Sequence, residues 1–268
     1  MPTVKVNDIN IYHEIHGDGF PLVMIIGLGS NLVWWDEKLL ETVSSKYKTV
    51  IFDNRGSGRT DKPDMDYSIR MFADDTIGLM NELKIERAHV LGISMGGMIA
   101  QELVLNYPER VEKLVLCATN SGLPLKIRIL AKIALGIAKL IYKRRLKTPE
   151  RAIEFVFEGI FTLEFRKENP DYIRERKEKL LPHVSTFEEY FNQTKAILKF
   201  NTRKRLKDIE KPTLIIHGKK DRLVSYKRGL ELAELIPNSR LFSFEKSGHA
   251  IFTHESEIVI RTILEFLS

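Results

Sequence analysis

The sequence predicts an α/β fold, a mostly parallel sheet flanked by helices and interrupted once by an all-helical stretch. Three observations carry this. Short apolar runs recur, such as Leu22-Val23-Met24-Ile25-Ile26 and Thr213-Leu214-Ile215-Ile216, and each closes on glycine or polar residues, as strands buried on both faces do. Helical stretches alternate with these runs, which requires crossover connections and therefore parallel strands. The alternation stops between Ser121 and Glu210 and resumes at Thr213.

The elements follow in order. Val4 and Val6, then Ile9 and Ile11, flank Asn7-Asp8 and predict a hairpin of two half-exposed strands. The run from Leu22 ends in Gly27-Leu28-Gly29. A helix is expected over Asp36 to Ser45. The strand Thr49 to Phe52 closes on Asp53-Asn54-Arg55-Gly56-Ser57-Gly58. Ser68 is placed to cap a helix through Leu83, with Met71, Phe72, Ile77, Met80 and Leu83 on its apolar face. A strand at Ala88 to Leu91 leads into Gly92-Ile93-Ser94-Met95-Gly96, a helix to about Tyr107, and a strand at Val111 to Ala118. After the helical stretch come the strand at Thr213, a helix over Ser225 to Ile236, a strand over Arg240 to Phe244 and a helix over Glu255 to Leu267. Pro108, Pro212 and Pro237 mark the seams. Thr148-Pro149, Asn169-Pro170 and Leu181-Pro182 divide the 121–210 stretch into several helices.

Composition narrows the classes. At 268 residues, 43% hydrophobic and 29% charged, the chain can build a large core and is not disordered. One cysteine, Cys117, excludes an internal disulfide and a cysteine zinc site, and its apolar neighbours predict a buried thiol. No signal-peptide pattern and no apolar run of membrane-spanning length appear, so the expectation is a cytoplasmic protein without stable membrane insertion. Of 42 Lys and Arg, 21 fall in residues 121–210 against 12 Asp and Glu there, so the net charge of +6 belongs to that segment. No nucleic-acid-binding motif accompanies it.

G-x-S-x-G between a strand and a helix is a nucleophile elbow, a turn tight enough to strain the serine and expose its hydroxyl. Serine needs a base within hydrogen-bond reach, and the base needs an orienting acid. Among seven histidines, His249 stands in a short loop after the last strand, in Lys246-Ser247-Gly248-His249-Ala250. His217 and His89 lie inside strands and read as packed residues. Asp221 occupies the loop after the strand at Thr213, within His217-Gly218-Lys219-Lys220-Asp221. The chain order Ser94, Asp221, His249 is that of a Ser-Asp-His triad in this topology. An oxyanion hole would draw one backbone N–H from Met95, at a helix N-terminus, and another from the Gly27-Leu28-Gly29 loop.

These segments, together with Asn106-Tyr107-Pro108-Glu109-Arg110-Val111, resemble the α/β-hydrolase fold family over essentially the whole chain. The resemblance implies an eight-stranded, mostly parallel sheet. It makes Ser94 the nucleophile, His249 the base, Asp221 the acid and the Leu28 N–H the second oxyanion donor. It implies a core of residues 1–120 and 211–268 and a helical cap of residues 121–210, inserted after the sixth strand. Two positions depart from the family's frequent pattern. Ile26 precedes Gly27, and Ile93 precedes the nucleophile, where histidine is common.

The activity so implied is hydrolysis of small to medium carboxylic esters through an acyl-enzyme, with a small-molecule partner and no metal or other cofactor. Serine at position 94 excludes the aspartate-dependent haloalkane dehalogenases and epoxide hydrolases. Enol-lactonases, C–C bond hydrolases and cofactor-free haloperoxidases stay open, and so does a receptor-like ligand-binding protein retaining the triad. Asp53 and Arg55 read as braces of a strand end. Of Trp34 and Trp35, one is expected in the core and the other is a candidate for the acyl pocket. Met98 and Phe252 are further pocket candidates, read first as packing. Arg128, Lys132, Lys139 and Lys143 share one face of the first cap helix. Solvated surface, attraction of an acidic substrate and interfacial lipid contact are its three readings. Oligomeric state and acyl preference carry no sequence signal.

Overall fold

The computed structural model describes residues 2–124, 127–130 and 148–268. Its eight strands form one sheet in the order β1-β2-β4-β3-β5-β6-β7-β8. They are β1 (Thr3–Val6), β2 (Ile9–His16), β3 (Pro21–Ile25), β4 (Lys48–Phe52), β5 (Ala88–Ile93), β6 (Val111–Cys117), β7 (Thr213–Gly218) and β8 (Ser239–Phe244). The β1–β2 and β2–β4 pairings are antiparallel and all others parallel. The N-terminal hairpin is therefore present, with Asn7 in the left-handed region at φ 52, as its tight turn requires. One expectation shifts: β2 is not half-exposed throughout. It runs between β1 and β4, and Ile11, Tyr12 and His13 are buried.

Burial on both faces follows the two-residue repeat of a strand. Val23, Ile25, Val50, Phe52 and Val90 join one hydrophobic cluster. Their strand neighbours Leu22, Met24, Ile51 and Leu91 join the other. The first face is covered by α2 (Ile69–Glu82) and α3 (Met95–Asn106), the second by α1 (Glu37–Ser44) and the C-terminal α10 (Ser256–Leu267). Both α2 and α1 are capped at their starts, α2 by Ser68 as the sequence predicts and α1 by Asp36 as well. Ser68 Oγ accepts from Met71 N at 3.1 Å, and Asp36 Oδ1 accepts from Leu39 N at 3.0 Å. Cys117 is fully buried, and burial pushes its thiol pKa up, so it behaves as a core residue.

Between β6 and β7 the described residues form α4 (Pro149–Ile160), α5 (Leu163–Glu168), α6 (Pro170–Leu180) and α7 (Phe187–Lys199), with no strand of the sheet among them. A bridge between Gly122 and Asn201 brings the two ends of this segment together. Pro149 and Pro170 each stand in the first turn of a helix, where no intrahelical N–H is needed. They therefore start helices. Thr186 and Glu189 form a reciprocal capping box at α7. The segment has its own cluster of Ile153, Phe157, Phe161, Ile173 and Leu180, which packs against Val33 and Trp34. The remaining helices are α8 (Lys227–Leu235) and the short α9 (Ile251–His254).

His89, on β5, is 5% exposed and packs against the rings of Phe20, at 4.7 Å, and Tyr47, at 5.6 Å. Burial, with a smaller contribution from the Lys113 charge, lowers its pKa to about 4. Burial lowers the pKa of His13 and His254 as well. A histidine held neutral in the fold stabilises it fully above the unfolded pKa of about 6.5 and loses that contribution as pH falls through the folded value. Thermal stability is therefore expected to drop on acidification from about pH 6.5 towards about pH 4. His89→Gln should flatten that decline in melting scans across the range. An unchanged slope would show that His89 is not a source of the acid sensitivity.

Candidate active site

Ser94 sits between β5 and α3 with φ 56 and ψ −118. A non-glycine residue there costs about 1–3 kcal/mol and persists only if its surroundings over-determine it. They do. Ser94 N donates to Cys117 O at 2.9 Å, and Ser94 O accepts from Gly97 N at 3.0 Å and from Thr119 Oγ1 at 2.7 Å. The flanking glycines are required by contact. A Cβ on Gly96 would lie 2.0 Å from Ile25 O, and one on Gly92 would lie 2.3 Å from Gly96 O. Strand and helix backbones can meet this closely only without side chains. The Ser94 side chain caps nothing at α3, and the residue is partly exposed.

Asp221 and His249 are brought together. Asp221 Oδ2 lies 2.8 Å from His249 Nδ1. Asp221 Oδ1 accepts from the N–H groups of Leu223 and Val224, both at 2.9 Å. Burial opposes the charge on Asp221, but His249, His217 and the backbone donor outweigh it and hold the carboxyl well below the usual range. An ionised carboxylate at Nδ1 puts the proton on that nitrogen. Nε2 is then the ring nitrogen left to accept. No hydrogen bond joins Ser94 Oγ to His249 among the described residues; such bonds are often long in unliganded enzymes and tighten with substrate.

The loop carrying His249 is anchored to the helical segment. Ala250 N donates to Ile160 O at 3.0 Å. His254 donates from Nδ1 to Ala250 O at 2.8 Å and accepts at Nε2 from Thr162 N at 3.3 Å. His217 is fully buried, as the sequence suggests, and its Nε2 donates to Val224 O at 2.8 Å. It thereby braces the acid loop. The bracing roles of His217 and His254 carry no sequence signal beyond the histidines themselves.

The Ile26–Leu32 loop faces the elbow. A Cβ on Gly27 would lie 3.2 Å from Ser94 Cβ. Most of its carbonyls and several of its amides are committed. Ile26 O accepts from Asn54 Nδ2 at 3.1 Å, and Gly27 O from Ser30 N at 3.3 Å. Gly29 N donates to Gln193 Oε1 at 2.8 Å, and Gly29 O accepts from Ser185 Oγ at 2.8 Å. Ser30 O accepts from Ser57 Oγ at 2.7 Å, and Leu32 N donates to Asp53 Oδ1 at 2.8 Å. Among the described residues no hydrogen bond uses the N–H of Leu28 or of Met95. These are the two donors nominated from the sequence.

Asp53 and Arg55 are structural. Asp53 is buried and also accepts from Arg59 N at 2.8 Å. Arg55 is 2% exposed and pairs with Asp75 (Nε to Oδ2, 2.7 Å) and Asp8 (Nη2 to Oδ1, 2.7 Å). Burial works against its charge, but the two carboxylates outweigh that and raise its pKa.

The four pocket candidates separate. Trp35 and Phe252 pack on one another in one core cluster, ring centroids 6.0 Å apart, and Met98 lies in the other. Trp34 is only partly buried. It bridges the core and the helical segment, with its ring 6.4 Å from that of Phe157. Arg176 of α6 donates to Trp34 O at 2.7 Å and Trp35 O at 3.1 Å. Of the basic face, Arg128 donates to Leu198 O at 2.8 Å and so is not a purely solvated cation. Lys132, Lys139 and Lys143 lie outside the described residues.

A family profile described as alpha/beta hydrolase fold matches residues 21–255. A protein of Azorhizobium caulinodans named "Putative carbamate hydrolase RutD" is 27% identical over 270 residues, covering 99% of this chain and 98% of its own length. The 2-hydroxy-6-oxononadienedioate/2-hydroxy-6-oxononatrienedioate hydrolase of Cupriavidus pinatubonensis is 28% identical over 255 residues, covering 92% of this chain and 86% of its own. Among solved structures, the enol-lactonase from Burkholderia xenovorans LB400 matches with a TM-score of 0.82 at 24% identity over 99% of both chains, a likeness of fold. With the family match spanning most of the sequence and the sheet order, elbow and acid-histidine pair in place, the chain belongs to the α/β-hydrolase fold family.

Proposed function

We propose that this hydrolase cleaves small to medium carboxylic esters through an acyl-enzyme, with Ser94 as nucleophile, His249 as general base and Asp221 as the orienting acid. The observation that carries the reading is the commitment of His249 Nδ1 to an ionised Asp221, which reserves Nε2 for a proton from the strained serine. In the mechanism, Nε2 takes the Ser94 hydroxyl proton as Oγ attacks the ester carbonyl carbon. The tetrahedral oxyanion is held by the N–H groups of Leu28 and Met95. The intermediate collapses, Nε2 returns the proton to the leaving alcohol, and the acyl group stays on Oγ. A water then gives its proton to Nε2, attacks the acyl carbon and releases the acid, and Ser94 is reprotonated.

Residues 121–210 serve in this reading as a cap over the site. The bonds from Ile160, Gln193, Ser185 and Arg176 to the loops around it support that role. Trp34, at the junction of core and cap, is the best candidate for lining the acyl pocket.

A second reading, carbamate cleavage, is favoured by the near full-length relative from Azorhizobium caulinodans. It uses the same steps with a carbamoyl-serine. The test is a panel of p-nitrophenyl esters from acetate to palmitate, set against lactones, carbamates and vinylogous diketones. The ester reading expects the highest kcat/KM on a short or medium ester. A preference for any other class would replace it.

A further inference from the structure

Gln193 lies on α7, between β6 and β7 in the sequence, yet its side chain is fully buried against the loop that faces Ser94. Oε1 accepts from Gly29 N at 2.8 Å, and Nε2 donates to Arg55 O at 3.0 Å. The Arg55 side chain is itself held by two carboxylates, so Gln193 ties Gly29 to the backbone of an anchored residue. Two more contacts from the same stretch converge there. Ser185 Oγ donates to Gly29 O, and the Tyr190 ring covers Gly29 so closely that a Cβ would lie 2.7 Å from Cδ2. Gly29 has φ 64 and is the third residue of the turn that Ser30 N closes on Gly27 O. A glycine in that position moves freely between turn conformations unless its amide is held. The peptide unit next to it carries the unspent Leu28 N–H.

We infer that Gln193 is a positioning residue for the oxyanion hole: by holding the Gly29 amide it sets the Leu28 N–H, so the hole is complete only when the 121–210 segment is seated on the core. The inference rests on Ser94 being the acylated residue. A transition-state donor must be held within a few tenths of an ångström, and a misplacement of about 1 Å costs about a hundredfold in rate.

The test uses the full-length protein and the best ester of the panel. Gln193→Met keeps length and volume and removes both hydrogen bonds. Its kcat is expected to fall about ten- to a hundredfold with KM within about threefold of wild type. Affinity for a trifluoromethyl ketone, which forms a tetrahedral oxyanion on serine, should fall in the same proportion, while the pH midpoint of kcat/KM stays put. Ser185→Ala, at a half-buried position that does not threaten folding, should show the same pattern at about three- to tenfold. A purely structural role would lower the melting temperature and leave kcat and ketone affinity within twofold in folded protein. That result, for either variant, overturns the inference even where Ser94→Ala is inactive. An active Ser94→Ala would remove the reading and this inference together.

Discussion

Ser94→Ala is expected to lower kcat on the best ester by at least about 10⁴-fold while leaving the fold intact. Alanine keeps the Cβ and tolerates the same left-handed backbone at the same cost. The bonds that hold position 94 there use its backbone N–H and carbonyl, so they survive the change. What disappears is the hydroxyl alone. Release of p-nitrophenol measures the loss. Intact-mass analysis after a fluorophosphonate should show one adduct on the wild type and none on the variant. Turnover within tenfold of wild type would refute the assignment of Ser94. Adduct formation by the variant would place the nucleophile elsewhere.

Asp221→Asn is expected to cost about 10³–10⁴-fold in kcat, and the reason lies in the partners of the carboxylate. Oδ1 faces two N–H donors, from Leu223 and Val224, and only an oxygen can sit there. The asparagine amide nitrogen must therefore take the Oδ2 position, facing His249 Nδ1. An N–H in that place forces Nδ1 to accept, which moves the imidazole proton to Nε2. The nitrogen that should take the serine proton then already carries one. The loss should be concentrated in kcat, with KM little changed, because substrate contacts are untouched. The ketone inhibitor should weaken too, since its adduct needs a protonated imidazole opposite the anion. A variant with wild-type kcat would mean that the acid is supplied by another residue.

Part of the architecture was legible because it depends on local pattern. Apolar runs such as Leu22–Ile26 can be soluble only inside a doubly covered sheet, and the structure buries them on both faces. Ser68 caps its helix because its oxygen reaches the N–H three residues on. The elbow was readable for a similar reason: Gly92 and Gly96 leave room for backbone contacts that any side chain would block. The roles of Pro149 and Pro170 were only half readable. A proline marks a boundary in sequence, but whether it ends one element or begins the next depends on the residues that continue the helix.

The pocket and the basic face were less legible. Met98, Trp35 and Phe252 are apolar residues close in sequence to the elbow and to the Gly27 and His249 loops, and apolar character does not distinguish packing from substrate contact. Arg128 sits on a charged helical face, yet it caps carbonyls at the end of α7. Gln193 gave no signal at all. Its partners are a glycine amide 164 residues away and an arginine carbonyl 138 residues away, and neither depends on side-chain identity.

The amino-acid order alone determined the sheet, the elbow and the succession of hydroxyl, carboxylate and imidazole, because each follows from periodicity, from the space glycine leaves, or from the sequence in which crossover units lay down strand ends. Only the folded chain decided that the imidazole is gripped by one nitrogen, that among the described residues the Leu28 amide in the loop opposite the serine makes no hydrogen bond, and that a buried glutamine from the inserted helices holds that loop. Each depends on hydrogen bonds between residues distant in sequence, and nothing in the identity of a residue marks which partner it will meet.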